Sequence, residues 1–154
     1  MTAGLRIHSA FCILALFLLA WTIGAMTIPP AHATANGQAA QMAGSELGSC
    51  NGSGKELRDC VAGVLDHMAD RTAAELPDTS RALRTAAAGV RAAVNKVQAL
   101  SAISKCQALI SGALNRVRAM GGGKTLLEGW GEEIGLTPVA RVLARMAQLI
   151  QTKG

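Results

Sequence analysis

Aromatic side chains are almost missing from this sequence, which has two Phe, two Trp and no Tyr in 154 residues. Proteins that hold single-stranded nucleic acid stack bases on aromatic rings, and this chain has too few rings for such a platform. Histidine is scarce as well: only His8, His32 and His67 occur, so imidazole acid–base chemistry and multi-histidine metal shells are short of ligands. The four cysteines, Cys12, Cys50, Cys60 and Cys106, form no C-x-x-C and no C-x-x-C-H. That argues against a thioredoxin-like pair and excludes c-type haem attachment. Only one long apolar run exists, which excludes a multi-span membrane protein. No segment alternates apolar and polar residues in the manner of a strand.

The single apolar run is placed and flanked as an export signal. Met1–Ser9 carries Arg6 and no acid, Ala10–Ile28 is uninterruptedly apolar, Pro29-Pro30 breaks it, and Ala31-His32-Ala33 supplies the small-x-small pattern of a peptidase site. The reading is a secretory signal peptide over 1–33, cleaved near Ala33, with the remainder secreted or periplasmic. Because the run is just long enough to span a bilayer, the alternative is a single N-terminal membrane anchor carrying an exported domain. Both readings put the rest of the chain in an oxidising compartment.

Residues 34–53 are mostly Ala, Gly, Ser, Asn and Gln with one charge, Glu46, and read as a flexible leader. Residues 54–154 read as a helical domain. Ser53-x-x-Glu56 predicts a capping box, followed by a stripe of Leu57, Cys60, Val61, Val64, Leu65 and Met68 that runs to about Leu76 before Pro77. Asp78, Thr79 and Ser80 offer caps for a second helix, with Leu83, Ala86, Ala87, Val90, Val94 and Val97 as its stripe. The apolar positions from Ile103 to Met120 fall about half a turn away from that stripe, which predicts a break near Leu100–Ser104, where Ser104-x-x-Gln107 offers another box. Gly121–Gly123 stops the third helix. Lys124–Leu136 reads as a short helix or packed loop, and Thr137-Pro138 as the N-cap and first residue of a last helix bearing Val139, Val142, Leu143, Met146, Leu149 and Ile150. The fold class is all-α, a small bundle of about four helices behind the signal peptide, with a core that is aliphatic and Ala-rich.

Candidate sites are few. Gly121-Gly-Gly-Lys-Thr125 resembles the end of a phosphate loop, but Arg118 stands where that motif needs its first Gly, and a glycine helix stop explains the residues. His67 and Asp70 lie one helical turn apart, two ligands at most, and a solvated polar face explains them better. Glu128, Glu132 and Glu133 lack the partner pattern of paired-carboxylate hydrolysis and read as counter-charges for Arg141 and Arg145. No catalytic, cofactor or metal constellation is therefore expected, and the chain reads as a non-enzyme. The acid distribution is more distinctive. From Thr79 to Leu127 there are eight cations and no carboxylate. Arg81, Arg84, Arg91, Lys105, Arg116 and Arg118 could form a basic surface for anionic lipid or envelope polymer. Alternatively, these cations face the acids Glu56, Asp59, Asp66, Asp70, Glu75 and Asp78 inside the bundle. Nucleic acid is not favoured as a partner.

Of the three cysteines beyond the signal, Cys60 and Cys106 both fall on apolar stripes, so a Cys60–Cys106 bridge is the first expectation and Cys50–Cys60 the second. The odd thiol could join two chains as a dimer. The stretch Cys50-x9-Cys60-Val-Ala-Gly-Val-Leu-Asp66 resembles the first helix of Tai-type periplasmic immunity proteins, which block cell-wall amidase toxins and in which paired cysteines and a Gly-Val-x-Asp helix recur. The resemblance spans residues 50–66 only. It departs where the family carries an aromatic residue just after the second cysteine and a cysteine-terminated C-terminal end. The function expected is the binding of an envelope or secreted protein; the alternative is a cationic amphipathic protein acting on membranes or anionic polymers.

Overall fold

Five α-helices and no strand make up the described part of the chain: α1 (Ala35–Gly48), α2 (Gly54–Thr72), α3 (Pro77–Ala92), α4 (Lys96–Met120) and α5 (Leu126–Lys153). A computed structural model describes the backbone over residues 35–120 and 126–154, and side chains over 36–119 and 135–154. The signal expected over 1–33, the Gly121–Thr125 segment and the side chains of Glu128, Trp130, Glu132 and Glu133 lie outside the described residues. Residues 33–154 form one unit. Consecutive helices pack side by side, α1 also packs on α5, and α2 touches α5 across the middle. The ring of five is thereby closed around a core that includes Leu57, Leu65, Met68, Leu83, Ile103, Ile110, Leu143, Met146 and Ile150.

Four sequence expectations are corrected here. First, residues 34–53 are not a flexible leader: most of them form α1, which buries Ala39, Ala40, Ala43 and Leu47. Its inward face is alanine, too small to raise a hydrophobic period above the Gly, Ser and Gln around it.

Second, the break between the second and third predicted helices falls at Ala93–Asn95, not Leu100–Ser104. Asn95 caps α4 by accepting from the Gln98 N–H at 3.0 Å, and Gln98 Oε1 accepts from the Val94 N–H at 3.0 Å. Val94 belongs to this turn and Val97 to the first turn of α4, and they are 77% and 71% exposed. With them removed from the α3 stripe, Ala99, Ile103, Cys106, Ile110, Leu114 and Val117 form one continuous buried row on α4.

Third, Ser53 makes no side-chain cap, because Gly54 follows at φ +56 and turns the chain so that the hydroxyl misses the first-turn N–H groups. Fourth, Thr137-Pro138 does not begin a helix. Pro138 lies inside the 28-residue α5, at the cost of the one hydrogen bond its missing N–H would have made.

Candidate functional site

The polar chemistry of the bundle is concentrated in its seams. The buried arc of α2 runs from Val64 through Leu57 and Leu65 to Ala62; at 100° per residue, Arg71, Cys60 and His67 follow beyond its first edge, and Asp66 and then Asp70 beyond its second. The first flank meets α1. There Cys50 and Cys60 form a disulfide with Cα atoms 5.8 Å apart. One turn and more along, Glu46 of α1 takes both His67 Nδ1 at 3.0 Å and an Arg71 Nη1 donor at 3.2 Å. His67's hydrogen bond is the largest influence on the Glu46 carboxyl; burial opposes it, and Arg71's hydrogen bond and charge complete a net shift below the ordinary range. At the other end of α1, the buried Asn36 donates through Nδ2 to Glu75 Oε2 at 2.6 Å, a contact that no sequence period announces.

The second flank of α2 meets α3. Arg84 donates to Asp70 at 2.9 Å, Arg91 pairs with Asp66, and the buried Ser80 hydroxyl donates to the Ala69 carbonyl at 2.8 Å. Arg81 pairs locally with Asp78 at 3.1 Å. Two of the six residues expected to form a basic surface, Arg84 and Arg91, are thus matched by carboxylates of α2 in the way the intramolecular alternative required. Lys105 and Arg116 are exposed on α4 without a carboxylate partner among the described residues, and Arg118 is exposed nearby.

The Cys60–Cys106 pairing is corrected to Cys50–Cys60. Cys60 sits on the rim of the α2 stripe, turned toward α1, whereas Cys106 faces the core from α4. The two helices are separated by α3 on one side of the ring and by α1 and α5 on the other. Cys106 is the free thiol, 2% exposed, and burial pushes its pKa up to about 11. The thiol is buried at the floor of the seam between α3 and α4.

His67 and Asp70, the pair weighed as half a metal site, turn to different partners, Glu46 and Arg84. Among the described residues no group of three or more His, Cys, Asp or Glu could hold a metal ion. No described helix is long and apolar enough to cross a membrane.

The remaining concave feature is the seam between α3 and α4. The helices approach so closely at Gly89 that a Cβ there would stand 2.9 Å from the Ala102 Cβ. Beside this contact runs an open groove of about 340 Å³, walled by small residues with Lys105 and Leu109 among its lining. Leu109 is 60% exposed. Here uncovered apolar area at Leu109 lies beside Lys105, a charge with no carboxylate partner among the described residues. No known protein family, curated protein or solved structure matches this chain.

Proposed function

We propose that this chain is an exported, non-catalytic helical protein that acts by binding a protein partner in the cell envelope or outside the cell. The observation that carries the reading is the Cys50–Cys60 bridge, because such bonds persist in oxidising compartments and are rare in the cytosol. Two further features support it: a three-part export pattern precedes the bundle, and Glu46, Asp66, His67 and Asp70 are engaged in the seams between helices. The alternative, direct action on anionic surfaces, loses support from the pairing of Arg84 and Arg91 with acids of α2. A narrower form of the main reading, in which the partner is a cell-wall amidase toxin, draws on the same bridge through the resemblance of residues 50–66 to the Tai-type immunity proteins.

Intact mass of the protein recovered from its producing cells tests the export half. The expected species begins at Thr34 and is two hydrogens lighter than its fully reduced form. A cytosolic chain retaining Met1 with all thiols reduced overturns the reading. Crosslinking in the intact envelope tests the other half, with a defined protein adduct expected and lipid-only adducts counting against it.

A further inference from the structure

The α3–α4 groove has a chemical character that narrows what it can hold. Its α3 wall is Ala82, Thr85, Ala86 and Gly89, spaced so that all four fall on one face; its α4 wall includes Ala102, Lys105, Cys106 and Leu109. Small walls let a backbone approach closely. Along α4, Lys105, Leu109, Gly112 and Arg116 follow at intervals of four, three and four, which sets a leucine between two cations in a single row. Neither helix carries a carboxylate beyond Asp78. The cations on the α2 side of α3 are matched, but Lys105 and Arg116 are not, so the row is a positive strip that the fold leaves uncompensated among its described residues.

We propose that this row and its groove dock an acidic amphipathic helix of a partner protein, with apolar anchors in the trough and carboxylates against Lys105 and Arg116. The inference rests on the partner-binding reading above and names its surface and the chemistry of the partner. It follows the helix-in-groove mode, in which anchors at helical spacing enter an apolar trough and charge fixes orientation. A second copy of this chain is a poorer occupant. Six of its seven described carboxylates, Glu46, Asp59, Asp66, Asp70, Glu75 and Asp78, are already engaged within the chain. A lipid surface would feel the same two cations, but one leucine and no aromatic residue on the strip give it little to insert.

The test uses the protein in its exported form and three probes: a short helical peptide with leucines at three- and four-residue spacing flanked by glutamates, its lysine counterpart, and vesicles of phosphatidylglycerol and phosphatidylcholine. The acidic peptide is expected to bind. Leu109→Asp should weaken it about tenfold, and the double reversal Lys105→Glu, Arg116→Glu by a similar factor. Lys153→Glu, the same charge change off the strip, should leave binding within about twofold. All these positions are exposed, and unchanged circular dichroism of the variants confirms folding. Equal binding of the lysine peptide, binding of vesicles alone, self-association abolished by Leu109→Asp, or no binding of any probe would each overturn the proposal. If an envelope protein is crosslinked equally well by the Leu109→Asp variant, the groove assignment fails while the partner-binding reading stands.

Discussion

Replacing Cys50 by Ser removes the crosslink between α1 and α2, and the size of the effect can be worked from the loop it closes. The bonded cysteines are 10 residues apart in sequence. In the chain-entropy account, a loop of that length restricts the unfolded chain by about 2.7 kcal/mol at 25 °C. A bundle of roughly 120 residues has an unfolding entropy near ~0.25 kcal/mol/K, so Tm should fall by about 10 °C. Cys60→Ser and the double variant should lose the same amount rather than twice as much, because the two sulfurs act as one unit. Cys106→Ala leaves the bridge intact and removes only a buried sulfur, on the order of 1 kcal/mol or about 4 °C. The order of these losses is the informative part. A Cys60–Cys106 bridge would close a loop of about 45 residues, contribute ~4 kcal/mol, and make Cys60 and Cys106 costly to lose and Cys50 nearly silent. Thermal melts followed by circular dichroism, with non-reducing peptide maps of each variant, decide between them. If Cys106→Ala lowers Tm more than Cys50→Ser, or if Cys106 peptides migrate as a disulfide, the assignment of the bridge is wrong.

Three further outcomes follow from the same geometry. The Cys106 thiol, enclosed in the core with its pKa at about 11, should react with iodoacetamide at pH 8 only as fast as the bundle opens; complete labelling on mixing would show that α4 is not seated as described. Glu46 is depressed below its reference of 4.5 by His67 and Arg71, so its contribution is whole above about pH 4.5 and is lost as pH falls through the folded value. Glu46→Gln should flatten the acid limb of a stability–pH series while costing at most ~1 kcal/mol at neutral pH, and an unchanged acid limb would refute the fork. Gly89→Ala places a methyl 2.9 Å from the Ala102 Cβ and should cost ~1–3 kcal/mol by overpacking. Adding Ala102→Gly should recover part of that loss in a double-mutant cycle despite its own helix penalty, and simple additivity would show that the two helices do not meet there.

The parts of the fold readable in the sequence were those carried by large apolar residues at helical spacing. Leu57, Val61, Val64, Leu65 and Met68 on α2, Leu83, Ala86, Ala87 and Val90 on α3, and Val139, Val142, Leu143, Met146 and Ile150 on α5 are all buried as their periods predict. The misplaced break arose from two residues. Val94 and Val97 continue the α3 period on paper yet are exposed, one in the turn and one in the first turn of α4, where Asn95 and Gln98 satisfy the backbone. A cap of Asn-x-x-Gln type was the available signal, and it was outweighed by two valines. The disulfide departs from the first expectation for a related reason: a stripe says which residues lie near the core side of a helix, but not which neighbour lies beyond each rim. Cys60 is on the rim facing α1, and its partner becomes obvious only once α1 is known to be a helix.

α1 itself could not be read from periodicity, and its stability explains why. Isolated helices of its length are marginal in water, and alanine contacts at Ala39, Ala40 and Ala43 supply little burial per residue. What holds it is tertiary: Asn36 to Glu75 near its start, Glu46 to His67 and Arg71 near its end, and the Cys50–Cys60 bond just beyond. These holds are spread along the whole length of the helix, so α1 is part of the domain and not a tether to it. A cut after Ala33, where the sequence places the peptidase site, removes none of the buried residues described, since the first of them is Asn36. Trimming a few residues further would remove the Asn36–Glu75 contact and begin to open the ring between α1 and α5.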